Sequence, residues 1–173
     1  MFKRLTFLLV LFAIAGTAMA QKDEQEANLK AVFIYNFTRY VDWDAGSNAE
    51  NDFIIGVIGN SAVERSIAEI ARINTVNNKK IVIRHFNKPE EIGPCHILFI
   101  AGNNNFSLQS ILDNTPKGAL TVSERPGAAR QGTSFNFVLL NDKLKFEANL
   151  KAISAAGLKA SSQLLKLAII VNN

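Results

Sequence analysis

His85, Cys95 and His96 are the only imidazole or thiol side chains in the 173-residue chain, so any soft-ligand metal centre has to be built on them. Zinc-type sites gather three or four such ligands at short spacing. Here the three sit on two neighbouring strand ends, without a second cysteine or a carboxylate at ligand spacing. No metal site is expected, and His96 is read as a hydrogen-bonding residue near the sheet edge. Nucleophilic catalysis is equally poorly supplied. There is no Gly-x-Ser-x-Gly elbow, and no serine at a strand–turn–helix junction has a matched His and Asp. The adjacent carboxylates Asp23–Glu24 and Glu90–Glu91 diverge on a helix surface, where such groups are solvated. The expectation is a protein with no catalytic residues and no cofactor.

Binding chemistry has more to work with. Gly59-Asn60-Ser61 follows an apolar run and opens an amphipathic one, so its backbone N–H groups are placed to hold an anion or polar ligand. It lacks the full dinucleotide fingerprint and the P-loop lysine, and a plain tight turn is the alternative. In an open α/β sheet ligands favour the carboxyl ends of the strands. Gly59, Gly102 and Ser123-Glu124-Arg125 are all expected on that edge. A second constellation joins Arg39, near the end of one helix, to Lys159, Ser161 and Ser162, after Gly157. If the two segments share a face, cations and hydroxyl donors make a small anion-binding spot. The other reading is that the serines cap a resumed helix.

The elements that must position these groups follow from hydrophobic spacing. Leu29, Val32, Phe33, Phe37, Tyr40 and Val41 recur at helical three- and four-residue intervals, predicting a helix over about 24–43 that ends near Trp43. Residues 44–52 read as a turn-rich loop. Phe53 to Ile58 is a continuous apolar run, as a strand of a buried parallel sheet requires. Ser61, with Glu64 as capping-box partner, starts a helix over about 62–73 whose apolar face is Val63, Ile67, Ile70 and Ala71. Strands are predicted at 79–86, 97–101 and 119–122, with a helical turn after Pro89 and a short helix around Leu108, Ile111 and Leu112. Asn141-Asp142 between two apolar runs is a hairpin signal. Residues 148–171 read as a helical segment interrupted or bent at Gly157. The fold class expected is α/β, a mostly parallel central sheet with helices on both faces and an antiparallel C-terminal hairpin.

Residues 1–20 have the three zones of a cleavable signal peptide. Lys3 and Arg4 form the basic end, Leu5 to Ala15 the apolar core, and Ala18-Met19-Ala20 the small-x-small end. Cleavage before Gln21 is expected, with a retained membrane anchor as the alternative. Residues 21–173 then form a single domain. Lys3 and Arg4 account for part of the apparent basicity: without them 17 of the 19 basic residues remain against 15 acidic ones. That near balance argues against nucleic-acid binding. The lone Cys95 cannot close an internal bridge. Next to an apolar strand it reads as a buried, unreactive thiol, with intermolecular pairing as the alternative.

Four blocks taken together resemble the YfiR-like family of periplasmic proteins: Lys30-Ala31-Val32-Phe33-Ile34-Tyr35-Asn36-Phe37-Thr38-Arg39-Tyr40-Val41-Asp42-Trp43; Cys95-His96-Ile97-Leu98-Phe99-Ile100; Leu120-Thr121-Val122-Ser123-Glu124; and Lys145-Phe146-Glu147-Ala148-Asn149-Leu150, continued by Ala156-Gly157-Leu158-Lys159-Ala160-Ser161-Ser162-Gln163-Leu164-Leu165-Lys166-Leu167-Ala168. The resemblance implies an α/β domain in the periplasm that represses a membrane-bound diguanylate cyclase by binding its periplasmic part, and so acts on cyclic di-GMP and biofilm formation. It implies an anion spot at Arg39 and Lys159, with Ser161 where relatives carry a histidine. The family's paired cysteines are reduced here to Cys95, which puts an internal redox disulfide in doubt.

Two functions compete. A regulator acting through protein contact would use exposed groups of the hairpin and last helix, with Glu147 and Ile153 as the partner-binding residues. Its partner is the periplasmic domain of an inner-membrane diguanylate cyclase or sensor kinase. The alternative reading of Ile153 is a core position. A solute-sensing domain serving a membrane sensor kinase would instead depend on Arg39, Lys159 and Trp43 to capture a small anionic or aromatic molecule. A homodimer is the remaining partner to be tested. Hydrolysis ranks last.

Overall fold

A computed structural model describes residues 2–43 and 51–171, with the backbone alone for residues 2–20. Most of the loop expected at 44–52 and the side chains of the expected signal peptide lie outside the described residues. In chain order the elements are α1 (Phe2–Tyr40), β1 (Val41–Asp42), β2 (Phe53–Ile58), α2 (Ala62–Ile73), β3 (Thr75–Val76), β4 (Lys79–Phe86), β5 (Ile97–Ile100), α3 (Leu108–Asp113), β6 (Leu120–Ser123), β7 (Phe135–Leu140), β8 (Lys143–Asn149), α4 (Leu150–Ala155), β9 (Lys159–Ala160), α5 (Ser162–Leu165) and β10 (Ile169–Val171). Pro89–Glu91 and Ala129–Gln131 are short 3-10 turns.

The main sheet runs β10-β8-β7-β6-β5-β2-β4-β3. Its pairs are parallel except β7–β8 and the edge pair β3–β4. Helices cover both faces. On one face α1 buries Ala27, Ala31, Ile34 and Phe37, and α2 adds Val63 and Ile67, against Ile55, Val57, Phe99 and Val122 of the sheet. On the other face Leu108 and Ile111 of α3 meet Ile54, Ile58, Leu98 and Ile100. Successive strand residues point to opposite faces, so a sheet covered on both sides needs unbroken aliphatic runs. Phe53–Ile58 and Ile97–Ile100 are buried at every position.

An aromatic cluster fixes α1 on the sheet. The Phe37 ring is fully buried and lies 4.6 Å from Phe135 and 5.2 Å from Phe146. Phe33 joins at 5.8 Å from Phe146. Burying a side chain of this size contributes roughly 1.5–3 kcal/mol. Helix α2 starts where Ser61 caps it, its Oγ accepting from the Val63 amide. Glu64 does not complete the expected capping box, because its carboxylate turns to Nδ1 of His85 at 3.0 Å. Asn141 and Asp142 both take positive φ, 51° and 56°, the geometry of a two-residue hairpin. Asn77 and Asn78 make the same turn between β3 and β4.

The segment after Asn149 departs from the expected helix. Asn149 caps α4, which ends after one and a half turns at Gly157, whose φ of 76° needs a residue without a Cβ penalty. Lys159–Ala160 then pairs with β1, and Ile169–Val171 forms a strand parallel to β8. The β-branched Ile169-Ile170-Val171 favour a strand over a helix. This outer strand places the antiparallel hairpin one position inside the edge. At its other boundary α1 stops at Tyr40, before Trp43, because Val41 and Asp42 are drawn into the pair with β9.

Candidate functional site

Helix α1 runs from the carboxyl edge of the parallel strands to their amino edge, and each edge holds a different group of charges. At the amino edge the β1–β9 ladder sets Ala160 opposite Val41 and Lys159 opposite Asp42. The Ser161 amide donates to the carbonyl of Tyr40 at 2.8 Å. The last turn of α1 and the segment 159–161 therefore share one end of the molecule, and the backbone brings Arg39, Lys159 and Ser161 to it. Arg39 and Lys159 are both exposed. The Arg39 guanidinium lies 5.1 Å from the centre of the Tyr35 ring and donates to its hydroxyl at 3.3 Å. Ser161 caps α5, its Oγ accepting from the Leu164 amide at 3.2 Å. That is the capping role the sequence offered as the second reading. Its hydroxyl proton stays free to donate elsewhere.

Trp43 is built into this edge as a structural element. Its indole N–H donates to the His96 carbonyl at 3.0 Å, and its ring meets Phe53 edge-on at 5.4 Å. His96 sits at this same amino edge, just before the interior strand β5, and hydrogen-bonds there. It is 4 % exposed and stacks on Phe53 at 4.4 Å, and its Nδ1 accepts the Ile54 amide at 3.0 Å, bridging toward β2. His85 lies on β4 rather than on a strand adjoining β5, since β2 separates the two. Among the described residues no three His, Cys, Asp or Glu side chains converge on a point where a metal ion would sit. Cys95 is buried, and burial pushes its thiol up to about 12. It is a protonated core residue at neutral pH.

Glu147 sits half-buried on β8, with Oε2 accepting from Asn136 at 3.1 Å. Ile153, read from sequence as an apolar surface anchor, is 4 % exposed and packs in the core with Leu158 and Leu164. One and a half turns of α4 have only one inward face, and Ile153 occupies it. The exposed apolar residue on this helix is Leu150, at 43 %.

At the carboxyl edge the structure assembles a group that sequence spacing alone only half discloses. Lys30 on α1 bonds Oε1 of Glu26 and Oε2 of Glu124, both at 2.7 Å. Glu124, just after β6, also accepts the Gly102 amide at 3.0 Å through Oε1. The Lys30 and Glu124 side chains are only 12 % and 13 % exposed. Burial pulls the Lys30 ammonium down, but its hydrogen bonds and charge attraction to Glu124 and Glu26 outweigh this and hold it above the ordinary lysine value. Gly59 and Gly102 lie on the same edge, as expected. The Asn60 amide donates to the Asn103 carbonyl at 3.1 Å, bridging the crevice between the β2 and β5 loops. The Glu26–Lys30 half of the triad was readable as an i,i+4 pair. Glu124 is far away in sequence, and only the strand order brings it there.

Two grooves open beside this triad. One, of about 360 Å³, runs between α1 and the β7–β8 hairpin, and the other, of about 200 Å³, faces the start of α2. No helix among the described residues is long and apolar enough to cross a membrane. A family model described as YfiR/HmsC-like matches residues 27–169, a span that takes in the buried face of α1, strands β1 to β9 and the first residue of β10. With both edges and their connecting sheet inside that span, the chain belongs to the YfiR/HmsC-like family.

Proposed function

We propose that this protein is exported through a cleaved signal peptide spanning residues 1–20 and acts in the periplasm as residues 21–173. There it regulates an inner-membrane signalling enzyme by binding its periplasmic part. The enzyme is a diguanylate cyclase held in check by the bound regulator, so that release raises cyclic di-GMP and favours biofilm growth. The observation that carries this reading is family membership across residues 27–169. A contact regulator needs a recognition surface rather than a catalytic constellation. Glu147 is our choice for that surface, beside the exposed Leu150. Ile153 serves by bracing α4 from below. Cross-linking of tagged protein in native membranes, followed by identification of what is captured, tests the reading. Recovery of a cyclase with a periplasmic domain, lost on Glu147→Arg, is the expected result. Recovery of no inner-membrane signalling protein would overturn it.

The pairing of β9 with β1 favours a second role at the amino edge. Arg39, Lys159 and Ser161 form a shallow anion-binding spot through which a small solute adjusts partner affinity. Binding to the native state must raise its melting temperature. Phosphate and small organic anions should do so, and Arg39→Ala with Lys159→Ala should abolish the shift. A shift that survives both substitutions would place the anion elsewhere.

A further inference from the structure

We propose that the groove between α1 and the β7–β8 hairpin at the carboxyl edge is a binding site for a small amphiphilic amine, its ammonium on Glu26 and its apolar part against Phe137, Leu139 and Leu144. This site is separate from the amino-edge spot. It lies about nine residues of helix away, some 14 Å along α1. Its volume, about 360 Å³, is in the range that holds a small organic molecule. It also lies on the edge of the sheet where α/β domains place their ligands, although here the crevice between the β2 and β5 loops is bridged by Asn60 and Asn103. The ligand space is displaced sideways, toward the hairpin.

The charge of the ligand follows from the triad. Lys30 is the cation lining both grooves, and it is already held by two carboxylates at 2.7 Å, so it offers little to an anion. Two carboxylates, Glu26 and Glu124, line this groove against that one ammonium, and Asp23 joins them in the neighbouring groove. The rim is therefore net negative and repels anions. Both Glu124 oxygens are engaged, by the Gly102 amide and by Lys30. Glu26 bonds Lys30 through Oε1, and its Oε2 has no partner among the described residues. The Glu26 side chain is 27 % exposed, and that oxygen is the acceptor left for an incoming N–H donor. The apolar wall is equally specific. Leu139 is 58 % exposed at the hairpin, whereas Phe137, two residues back on the same face of β7, is buried. The wall thus grades from core to solvent beside the carboxylates. An apolar body with one cationic end matches both halves.

Hexylamine, hexanol and hexanoate share a tail and differ in head charge, and titration calorimetry of the purified protein with each provides the test. Hexylamine should bind at least about tenfold more tightly than hexanoate and more tightly than hexanol. Glu26→Gln should remove most of the amine's advantage while leaving hexanol unchanged, and Leu139→Ser should weaken all three. Asp23→Asn, at an exposed position outside the ion network, gives a smaller loss for the amine and guards against a folding defect in Glu26→Gln. Equal or tighter binding of hexanoate would overturn the proposal. So would hexylamine binding unmoved by all three substitutions, or no binding of any probe. None of these outcomes depends on whether a cyclase is the partner.

Discussion

The two sheet edges that α1 spans use similar side chains for different purposes. At the carboxyl edge Lys30 is enclosed, bonded to two carboxylates and raised in pKa, and it ties the helix to the loop after β6. At the amino edge Arg39 and Lys159 are exposed, and α1 is held there by backbone pairing with β9 and by the Ser161–Tyr40 hydrogen bond. A charge committed to structure is costly to remove and has little left for a ligand. A charge that structure does not need is cheap to remove and free for recognition. The difference lies in what surrounds each cation, because an exposed charge contributes little to stability and an enclosed, paired one is costly to strip of its partner.

The sharpest way to break the comparison is to remove what both ends share. Phe37→Ala opens the aromatic cluster at the end of the buried helix face and should cost about 3–5 kcal/mol in urea unfolding, loosening the helix that carries the charges of both edges. Glu124→Ala acts on one end only. It strips Lys30 of a buried partner and leaves the Gly102 amide unpaired, for an expected loss of about 2–4 kcal/mol.

Alkaline titration sharpens the contrast further. Lys30 and Cys95 both hold their protons more tightly in the folded chain. The stability each contributes is therefore complete below its unfolded value and fades as pH rises through the folded one. For Cys95 that window runs from the ordinary thiol value of 9.0 to about 12, and for Lys30 it opens above 10.5. Cys95→Ala should flatten the fall in stability within the first window, and Lys30→Met should flatten it in the second, in urea titrations repeated at each pH. Smallest of all, Arg39→Ala and Lys159→Ala should each move stability by less than about 0.5 kcal/mol. A large loss at either would mean that the amino edge is not the free surface described.

Local chemistry made much of this fold legible in advance. The unbroken aliphatic runs marked β2 and β5, Ser61 marked the start of α2, and Asn141-Asp142 marked the hairpin, because each signal is complete within a few residues. The segment after Asn149 misled because its leucines and alanines carry helix propensity, while the deciding partners, β1 and β8, lie elsewhere in the chain. Asn77-Asn78 carried the same hairpin signal as Asn141-Asp142, but it joins a strand of only two residues, too short for alternation to show. Among the candidate sites, Arg39 and Lys159 were found as a pair although Ser161 and Trp43 have structural duties. Ile153 was misjudged because a two-sided choice on a six-residue helix cannot be settled by spacing. Glu124 was expected on the carboxyl edge, but its pairing with Lys30 was not, because nothing near it in sequence announces Lys30.

The outermost strand on one side of the sheet, β10, comes from residues 169–171 and rests on β8. The sheet is not complete until residue 171 has emerged, so a chain still being synthesised presents β8 with an open edge. Until that segment docks, β8 offers unpaired backbone donors and acceptors to any strand that meets it.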